Sequence, residues 1–259
     1  MDRGVLQLDA VSRSRLEQVP FSHAVVDGLF RPNDAAALAA NFPTDHYRVV
    51  NGRDEKVYRY DARPFIRFGT SEVRFPERLS PEWRALGADL GSAAYRRALG
   101  TLVGLDLQDL PVEVNLFHYG PRSLLDPHPD LPDKVVTHVL YFNDSWDRED
   151  GGCLRILRSS DDADFAKEIL PLVGSSAVLV RSDNSWHSVP AVRPDVDRSR
   201  RSMTVTFYRP GSSSIIFPAD RDYHLVDVTP KGSRPVDRVV DLVLRLTRKV
   251  QRSVRRPRG

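Results

Sequence analysis

A series of short apolar segments in the second half of the chain most constrains its fold. The segments are rich in Val, Thr, Ile, Phe and Tyr, and turn residues separate them. β-Branched and aromatic side chains of this kind suit half-buried strands. The predicted strands are 112–119, 135–142, 152–157, 176–181, 187–192 and 199–208. We therefore predict a mainly β protein with flanking helices and a double-sheet jelly-roll, cupin-like core at 111–210.

The first 110 residues carry helical and irregular patterns. Asn33 or Asp34 is a candidate N-cap, because a short polar side chain can accept a hydrogen bond from a free N–H group of the first helical turn. Pro81 suits the first turn of a helix. The patterns predict a short strand and turn at 21–30, a helix over 35–41, an irregular stretch at 44–75 and a helix over 81–102. We interpret the irregular stretch either as a lid over a binding site or as a packed cover over the core.

Arginine residues crowd the C-terminal end of the chain, whose formal net charge is +3. Apolar residues recur among them at helical spacing from 236 to 254, which predicts an amphipathic basic helix. No nucleic-acid recognition motif accompanies the charge, so we predict a helix packed on the domain with solvated arginines, and no nucleic-acid partner. We expect one domain at 1–230, in which 1–110 is an N-terminal elaboration, followed by a basic helix and tail at 231–259.

The chain has a single cysteine, Cys153. One thiol can form neither an intramolecular disulfide nor a zinc site built on several thiolates, and this suits a reducing compartment. The N-terminal residues lack the apolar stretch of a secretory signal, and no apolar run is long enough to cross a bilayer. We therefore expect a cytoplasmic protein without a membrane span, in which Cys153 is a small core residue. The sequence leaves the oligomeric state open.

Three residues form a candidate metal site. His128 and Asp130 flank one proline, and in extended chain such a pair points to the same side. His187 begins a later predicted strand, which a jelly roll can place beside the first segment. Two histidines and one carboxylate form the facial set of ligands that suits iron(II) and leaves coordination positions open. His118 and His138 alternate onto the other faces of their strands, and we predict that both are structural.

A second group of residues predicts a carboxylate anchor. Arg200 and Ser202 share one face of their predicted strand, whereas Arg201 lies on the other. An inward guanidinium with a hydroxyl beside it can hold a carboxylate through paired hydrogen bonds. The hydroxyls of Tyr141 and Tyr119 are further candidates for the same carboxylate. A shift of register by one residue would put Arg201 in the place of Arg200.

The order of these motifs resembles that of the iron(II)/2-oxoglutarate-dependent dioxygenases, in their prolyl-hydroxylase-like branch. The resemblance covers about residues 20–30 and 110–210 and rests on His128-x-Asp130, Tyr141, Gly151-Gly152-x-Leu154, His187 and Arg200-x-Ser202. It implies a double-stranded β-helix, which is a form of jelly roll. It also implies that dioxygen is a co-substrate, that iron(II) is bound by His128, Asp130 and His187, and that 2-oxoglutarate is bound by Arg200, Ser202, Tyr141 and Tyr119.

The resemblance implies an oxidoreductase with one oxygenase domain. We expect it to hydroxylate or oxidatively cyclise a small molecule with release of succinate and CO2, and we expect a natural-product intermediate such as a saccharide or amino-acid derivative. Asn115, Trp146 and Trp186 are candidate substrate contacts, with core packing as the alternative for both tryptophans. The alternative functions are a prolyl hydroxylase acting on a peptide or protein, and a catalytically silent jelly-roll protein that binds a small molecule.

Overall fold

The computed structural model describes residues 4–52 and 56–228. Four α-helices and eleven strands lie within these residues. The helices are α1 (Leu8–Arg13), α2 (Pro32–Ala40), α3 (Pro81–Leu90) and α4 (Ala93–Val103). The strands are β1 (His23–Val26), β2 (Arg48–Gly52), β3 (Tyr58–Ile66), β4 (Val112–Tyr119), β5 (Leu124–His128), β6 (Lys134–Tyr141), β7 (Leu154–Leu157), β8 (Phe165–Ile169), β9 (Ser176–Val180), β10 (His187–Val189) and β11 (Arg200–Tyr208).

The strands form one curled antiparallel sheet. Its order is β1-β9-β6-β11-β4-β3-β5-β10-β7-β8, and β2 pairs with β3 beside this path. Strand β3 joins the two halves, because its C-terminal part pairs with β4 whereas Tyr58 and Arg59 pair with β5. This arrangement confirms the predicted fold class, a mainly β protein with a double-stranded β-helix core and flanking helices.

Alternate residues of the strands divide between two apolar clusters. Residues on one face of β4 and β11, such as Leu116 and Met203, pack with helices α1 to α4 in the first cluster. Residues on the other face, such as Phe117 on β4 and Tyr141 on β6, pack between the two halves of the sheet in the second cluster. Because strand side chains alternate between faces, the same strands supply both cores. The second cluster surrounds the polar residues of the candidate site.

The six strands predicted between 112 and 208 are confirmed as β4, β6, β7, β9, β10 and β11, with small shifts at their ends. The prediction of an irregular stretch at 44–75 is wrong, because this stretch contains β2 and β3. Pro64 lies within β3 next to a shift of register, where a residue without an N–H group is tolerated, and it disguises the strand. The pattern does not predict strand β5, which lies between two predicted strands and ends at His128.

The predicted continuous helix over 81–102 is wrong, because the structure has two helices, α3 and α4. Ser92 accepts a hydrogen bond from the backbone N–H of Tyr95 at 3.1 Å and thereby caps α4. A serine N-cap satisfies one of the free N–H groups of a first turn, so a new helix begins there. The apolar spacing of 81–102 continues across this break, which is why the sequence pattern does not show it.

Helix α2 begins earlier than the predicted range 35–41, with Pro32 in its first turn. A proline costs no hydrogen bond at that position. The predicted capping by Asn33 or Asp34 is wrong, because Arg31 is the N-cap residue and no side chain caps the helix. Asp34 forms an ion pair with Arg31 at 2.6 Å instead.

The chain up to Val228 forms one compact unit. The predicted basic helix at 236–254 lies outside the described residues, and the domain boundaries at 230 stay a prediction. Cys153 is buried, as the sequence predicts. Within residues 4–52 and 56–228, no helix is long and apolar enough to cross a bilayer.

Candidate active site

The three predicted metal ligands lie together in the structure. His128 at the end of β5 pairs directly with His187 at the start of β10, and their ring centroids are 4.4 Å apart. Asp130 follows β5, and one potential ligand atom from each of the three residues lies within 4.8 Å of the others. All three side chains are buried. The predicted set therefore meets at one point for two reasons. His128 and Asp130 are separated by one residue, and the pairing of β5 with β10 brings His187 beside them.

Each of the two histidines is fixed by one backbone hydrogen bond. Nδ1 of His128 donates to the carbonyl of Asp126 at 2.8 Å, and Nδ1 of His187 donates to the carbonyl of Ser185 at 2.9 Å. A carbonyl only accepts, so the proton is on Nδ1 and Nε2 keeps its lone pair for a metal. Burial lowers the pKa of both rings, and the proximity of His187 lowers that of His128 further. Both rings are therefore in the neutral form that coordinates metals.

Asp130 supplies the negative charge of the set. Burial would raise the pKa of its carboxyl group, yet the pKa lies below its usual range, chiefly because the ammonium group of Lys134 lies beside it. Lys134 Nζ lies 2.6 Å from one carboxylate oxygen, and the hydroxyl of Thr137 donates to the other at 3.0 Å. Two neutral imidazoles and one ionised carboxylate fit a divalent iron ion with open coordination positions.

The floor of the cavity is formed by β6, β11 and β4, whose inward side chains lie in rows across the three strands. Strand pairing assigns the rows, since Ser202 lies opposite Tyr141 on one side and Phe117 on the other. Successive rows are about 6.7 Å apart along the strands. From the metal ligands onward the rows are Thr137-Thr206-Glu113, Val139-Thr204-Asn115, Tyr141-Ser202-Phe117 and, on β11 and β4 alone, Arg200-Tyr119.

Arg200 lies in the last row with a buried guanidinium group. Its side chain is 2% exposed, Nη1 donates to the Ser202 hydroxyl at 2.6 Å, and no carboxylate of the described residues pairs with it. Its guanidinium lies 4.8 Å from the ring centroid of Tyr119 and 5.4 Å from that of Tyr141. Arg200 Nε and the Tyr141 hydroxyl have no hydrogen-bond partner among the described residues. A buried cation without a counter-ion is costly, so this end of the cavity fits a carboxylate-bearing ligand.

Arg201 lies on the opposite face of β11. It donates to the carbonyl of Ala39 at 3.2 Å, and its guanidinium lies 5.7 Å from the ring of Phe42. Strand alternation therefore directs Arg200, and not Arg201, into the cavity.

The three predicted substrate contacts lie in different places. Asn115 lines the cavity. Trp146 is buried in the inner apolar cluster and donates from Nε1 to the carbonyl of Gly151 at 2.8 Å. Trp186 is half-buried, and neither tryptophan is among the residues that line the cavity.

Several cavity residues carry no signal in the sequence. Lys134 binds Asp130 from the start of β6, and no pattern marks it; alternation within β6 does place Thr137, the other partner of Asp130, on the inward face. Ile216 lines the cavity from the segment after β11, where no periodic pattern predicts an element. Ile216 reaches the site only through the tertiary fold, so a local pattern cannot mark it.

Comparison with known families and structures supports the same fold. The family described as the 2OG-Fe(II) oxygenase superfamily matches residues 114–209. A prolyl-4-hydroxylase from Pseudomonas putida is similar in structure, with a TM-score of 0.50, 20% identity, and coverage of 78% of this chain and 97% of that chain. An oxidoreductase of the 2OG-Fe(II) oxygenase family from Burkholderia pseudomallei has a TM-score of 0.50, 18% identity, and coverage of 72% and 85%. Comparison with curated proteins found no match.

The matched segment contains the candidate metal ligands and the buried arginine at the far end of the cavity. Its strands β4 to β11 form most of the curled sheet. The segment 114–209 is thus similar to the 2OG-Fe(II) oxygenase superfamily, whose members are oxidoreductases that use iron(II) and 2-oxoglutarate, and it holds the set His128, Asp130 and His187.

Proposed function

We propose that this protein oxidises a small organic molecule, by hydroxylation or oxidative ring closure, with release of succinate and CO2 from 2-oxoglutarate. His128, Asp130 and His187 bind the iron, and Arg200, with Ser202, Tyr141 and Tyr119, binds the distal carboxylate of 2-oxoglutarate. The observation that carries this proposal is the buried guanidinium of Arg200, which has no counter-ion among the described residues and faces the cavity that also holds the His-Asp-His set.

The bound iron supplies activation of dioxygen and oxidation of an unactivated C–H bond, coupled to decarboxylation of 2-oxoglutarate. The protein contributes placement. The backbone carbonyls of Asp126 and Ser185 orient the two imidazoles, and Lys134 and Thr137 orient the carboxylate of Asp130. The apolar cluster around the cavity limits the access of water, which strengthens each of these electrostatic contacts.

The covering of the cavity supports a small substrate. The segment that follows β11 contributes Ile216 to the cavity wall, and Arg48 on β2 donates to the Ile216 carbonyl at 2.7 Å. Arg48 also stacks 4.8 Å from the ring of Tyr223 in the same segment. A cavity covered in this way suits a metabolite better than an extended chain. We place the reaction in natural-product metabolism, on a saccharide or amino-acid derivative, and the single cysteine supports a cytoplasmic location.

A prolyl hydroxylase that acts on a peptide is the alternative within the same chemistry, since a prolyl-4-hydroxylase shares the fold. The alternative without this chemistry is a catalytically silent protein that binds a small molecule. The buried set of three ligands favours the enzyme, because a protein without a metal gains nothing from placing two histidines and a carboxylate within 4.8 Å.

Succinate release tests the proposal. Protein supplied with iron(II), 2-oxoglutarate and air is expected to release succinate faster when fractions of small metabolites are added, without any peptide. Stimulation by proline-containing peptides alone would favour the prolyl hydroxylase, and the absence of succinate under all conditions would favour the silent binding protein.

A further inference from the structure

A second cavity adjoins the one that contains the metal ligands. The two cavities share Glu113 and Asn115 as lining residues. The other walls of the second cavity come from parts of the segments 64–75 and 212–225. A molecule that reaches from one cavity into the other therefore contacts these two side chains. Neither residue is among those proposed to bind iron or 2-oxoglutarate.

Glu113 is a buried carboxyl group that has no ion pair among the described residues. Its side chain is 3% exposed. The hydroxyl of Ser214 donates to one oxygen, and the hydroxyl of Tyr208 donates to the other at 3.3 Å. Asn115 lies two residues further along β4, and both side chains line the cavity. Burial raises the pKa of Glu113, and these hydrogen bonds oppose the rise.

Asn115 presents a buried acceptor that has no donor. Its side chain is 3% exposed, and Oδ1 has no hydrogen-bond partner among the described residues. A buried acceptor without a donor costs free energy. A ligand that donates a hydrogen bond to Oδ1 removes that cost.

Strand pairing places Glu113 and Asn115 across the cavity from Asp130. Thr137, which donates to Asp130, lies in the same row as Glu113, and β11 is the strand between them. Adjacent strands are about 4.8 Å apart, so the two ends of this row are roughly 10 Å apart. That distance leaves room for one small ring beside the metal ligands. Arg200, the carboxylate anchor, lies in the last row. Glu113 and Asn115 therefore lie beside the metal site on the side away from Arg200.

The charges around the two cavities disfavour an ionic ligand at this pair. The cations that line the two cavities outnumber the carboxyl groups, six to three, and therefore oppose a positively charged ligand. The cations are Lys56, Arg67, Arg74, Lys134, Arg200 and Arg221, and the carboxyl groups are those of Glu113, Asp130 and Asp222. The carboxyl group of Glu113 opposes a negatively charged one. A hydroxyl group is neutral, donates to Asn115 Oδ1, and both donates and accepts, so it pairs with Glu113 in either protonation state.

Resting on the proposed function, we propose that Glu113 and Asn115 position the substrate through its hydroxyl groups, and that this substrate is a neutral polyhydroxylated ring of the glycoside or cyclitol class. The remainder of the molecule extends into the second cavity beside Phe217 and Tyr223, whose rings meet edge to face at 5.3 Å. Flat aromatic rings offer apolar surface to the C–H face of such a ring.

Proton relaxation of small probes tests the proposal on the full-length protein, loaded anaerobically with iron(II) and 2-oxoglutarate. Paramagnetic iron accelerates the relaxation of protons that bind near it. The probes are methyl β-glucopyranoside and myo-inositol, with butylammonium and the peptide Gly-Pro-Gly as competing classes. We expect accelerated relaxation for the two polyols, and about tenfold weaker polyol binding in Asn115→Leu, since one hydrogen bond to a buried acceptor is lost. The control Asn51→Leu, at an exposed position of β2, is expected to bind as the wild type does.

Three results would overturn the proposal: relaxation of the ammonium or the peptide in place of the polyols, polyol binding that does not depend on Asn115, or no accelerated relaxation of any probe. The absorption band of the iron–2-oxoglutarate chelate, recorded on the same samples, shows whether only the proposed substrate class is wrong or the proposed function is wrong as well. A band with no polyol binding overturns only the substrate class. A wild-type protein without the band overturns the proposed function and the substrate class together.

Discussion

The histidines of the protein differ in how their ring nitrogens are used. His138 uses both, with the Tyr95 hydroxyl 2.9 Å from Nδ1 and the Ser176 hydroxyl 2.8 Å from Nε2. His128 and His187 each bind one backbone carbonyl through Nδ1. A histidine with both nitrogens engaged is structural, whereas a fixed Nδ1–H group leaves Nε2 for a metal. The prediction that His138 is structural therefore has a physical basis in its two partners.

Asp130→Ala is expected to weaken iron(II) binding by at least about 100-fold, because a direct ligand contributes more than outer groups whose loss costs about 10- to 100-fold. Equilibrium titration under anaerobic conditions measures the change, and circular dichroism is expected to show a folded protein. Asp133→Ala, a nearby carboxylate that is not part of the ligand set, serves as the control. Unchanged iron affinity in Asp130→Ala would remove this residue from the metal site.

Arg200→Met is expected to weaken 2-oxoglutarate binding by roughly 100-fold, since charge-assisted hydrogen bonds worth about 3 kcal/mol are lost. The same change removes a buried guanidinium that has no counter-ion among the described residues, so the free energy of unfolding without 2-oxoglutarate is expected to stay the same or rise. Calorimetric titration and thermal unfolding measure the two effects.

Arg201→Met is the matched control for Arg200→Met, because the two residues are adjacent on β11 and face opposite sides. It removes the hydrogen bond to the Ala39 carbonyl, and is expected to lower stability by about 1 kcal/mol while 2-oxoglutarate affinity is kept. The reverse pattern, with 2-oxoglutarate affinity lost in Arg201→Met and kept in Arg200→Met, would contradict the assignment of the anchor.

Among the elements, the segment after β11 contributes to the walls of both cavities. Arg48 on β2 donates to the Ile216 carbonyl and stacks on Phe217 and Tyr223. Further along, Val226 exchanges backbone hydrogen bonds with Tyr47 at 2.7 and 2.8 Å. The segment is thus attached at two points. Ile216 at the first point lines the cavity that holds the metal ligands, and the part between the two points lines the second cavity.

Arg48→Leu is expected to loosen the first attachment and leave the second intact. Hydrogen exchange at the amide of Phe217, which donates to Ser214, is expected to accelerate by about tenfold or more, because roughly 1–2 kcal/mol of local contacts are lost. Exchange at Val226 is expected to change little. Arg13→Leu, at a largely exposed position of α1, serves as the control. Equal acceleration at both amides would show that the segment opens as one unit.

At the scale of the whole molecule, the sequence predicts those parts of the fold and site that alternation determines. Strands β4, β6 and β11 have one apolar face each toward the core, so their inward residues, including Arg200 and Tyr141, follow from a period of two. The sequence pattern does not predict strand β3, because Pro64 and the many polar residues of this strand match no strand pattern. The position of β3 is determined by its pairing with β4 and β5. The contact of Ser214 with Glu113 joins residues that are 101 positions apart, so no local pattern predicts it.

The central claim is that one cavity binds iron(II) at one end and 2-oxoglutarate at the other. The most direct measurement is the visible absorption of the anaerobic protein on addition of iron(II) and then 2-oxoglutarate. We predict a weak metal-to-ligand charge-transfer band that appears only with both, is lost in Asp130→Ala, and requires far more 2-oxoglutarate in Arg200→Met. A wild-type spectrum that does not change when 2-oxoglutarate is added to the iron-loaded protein would contradict the claim.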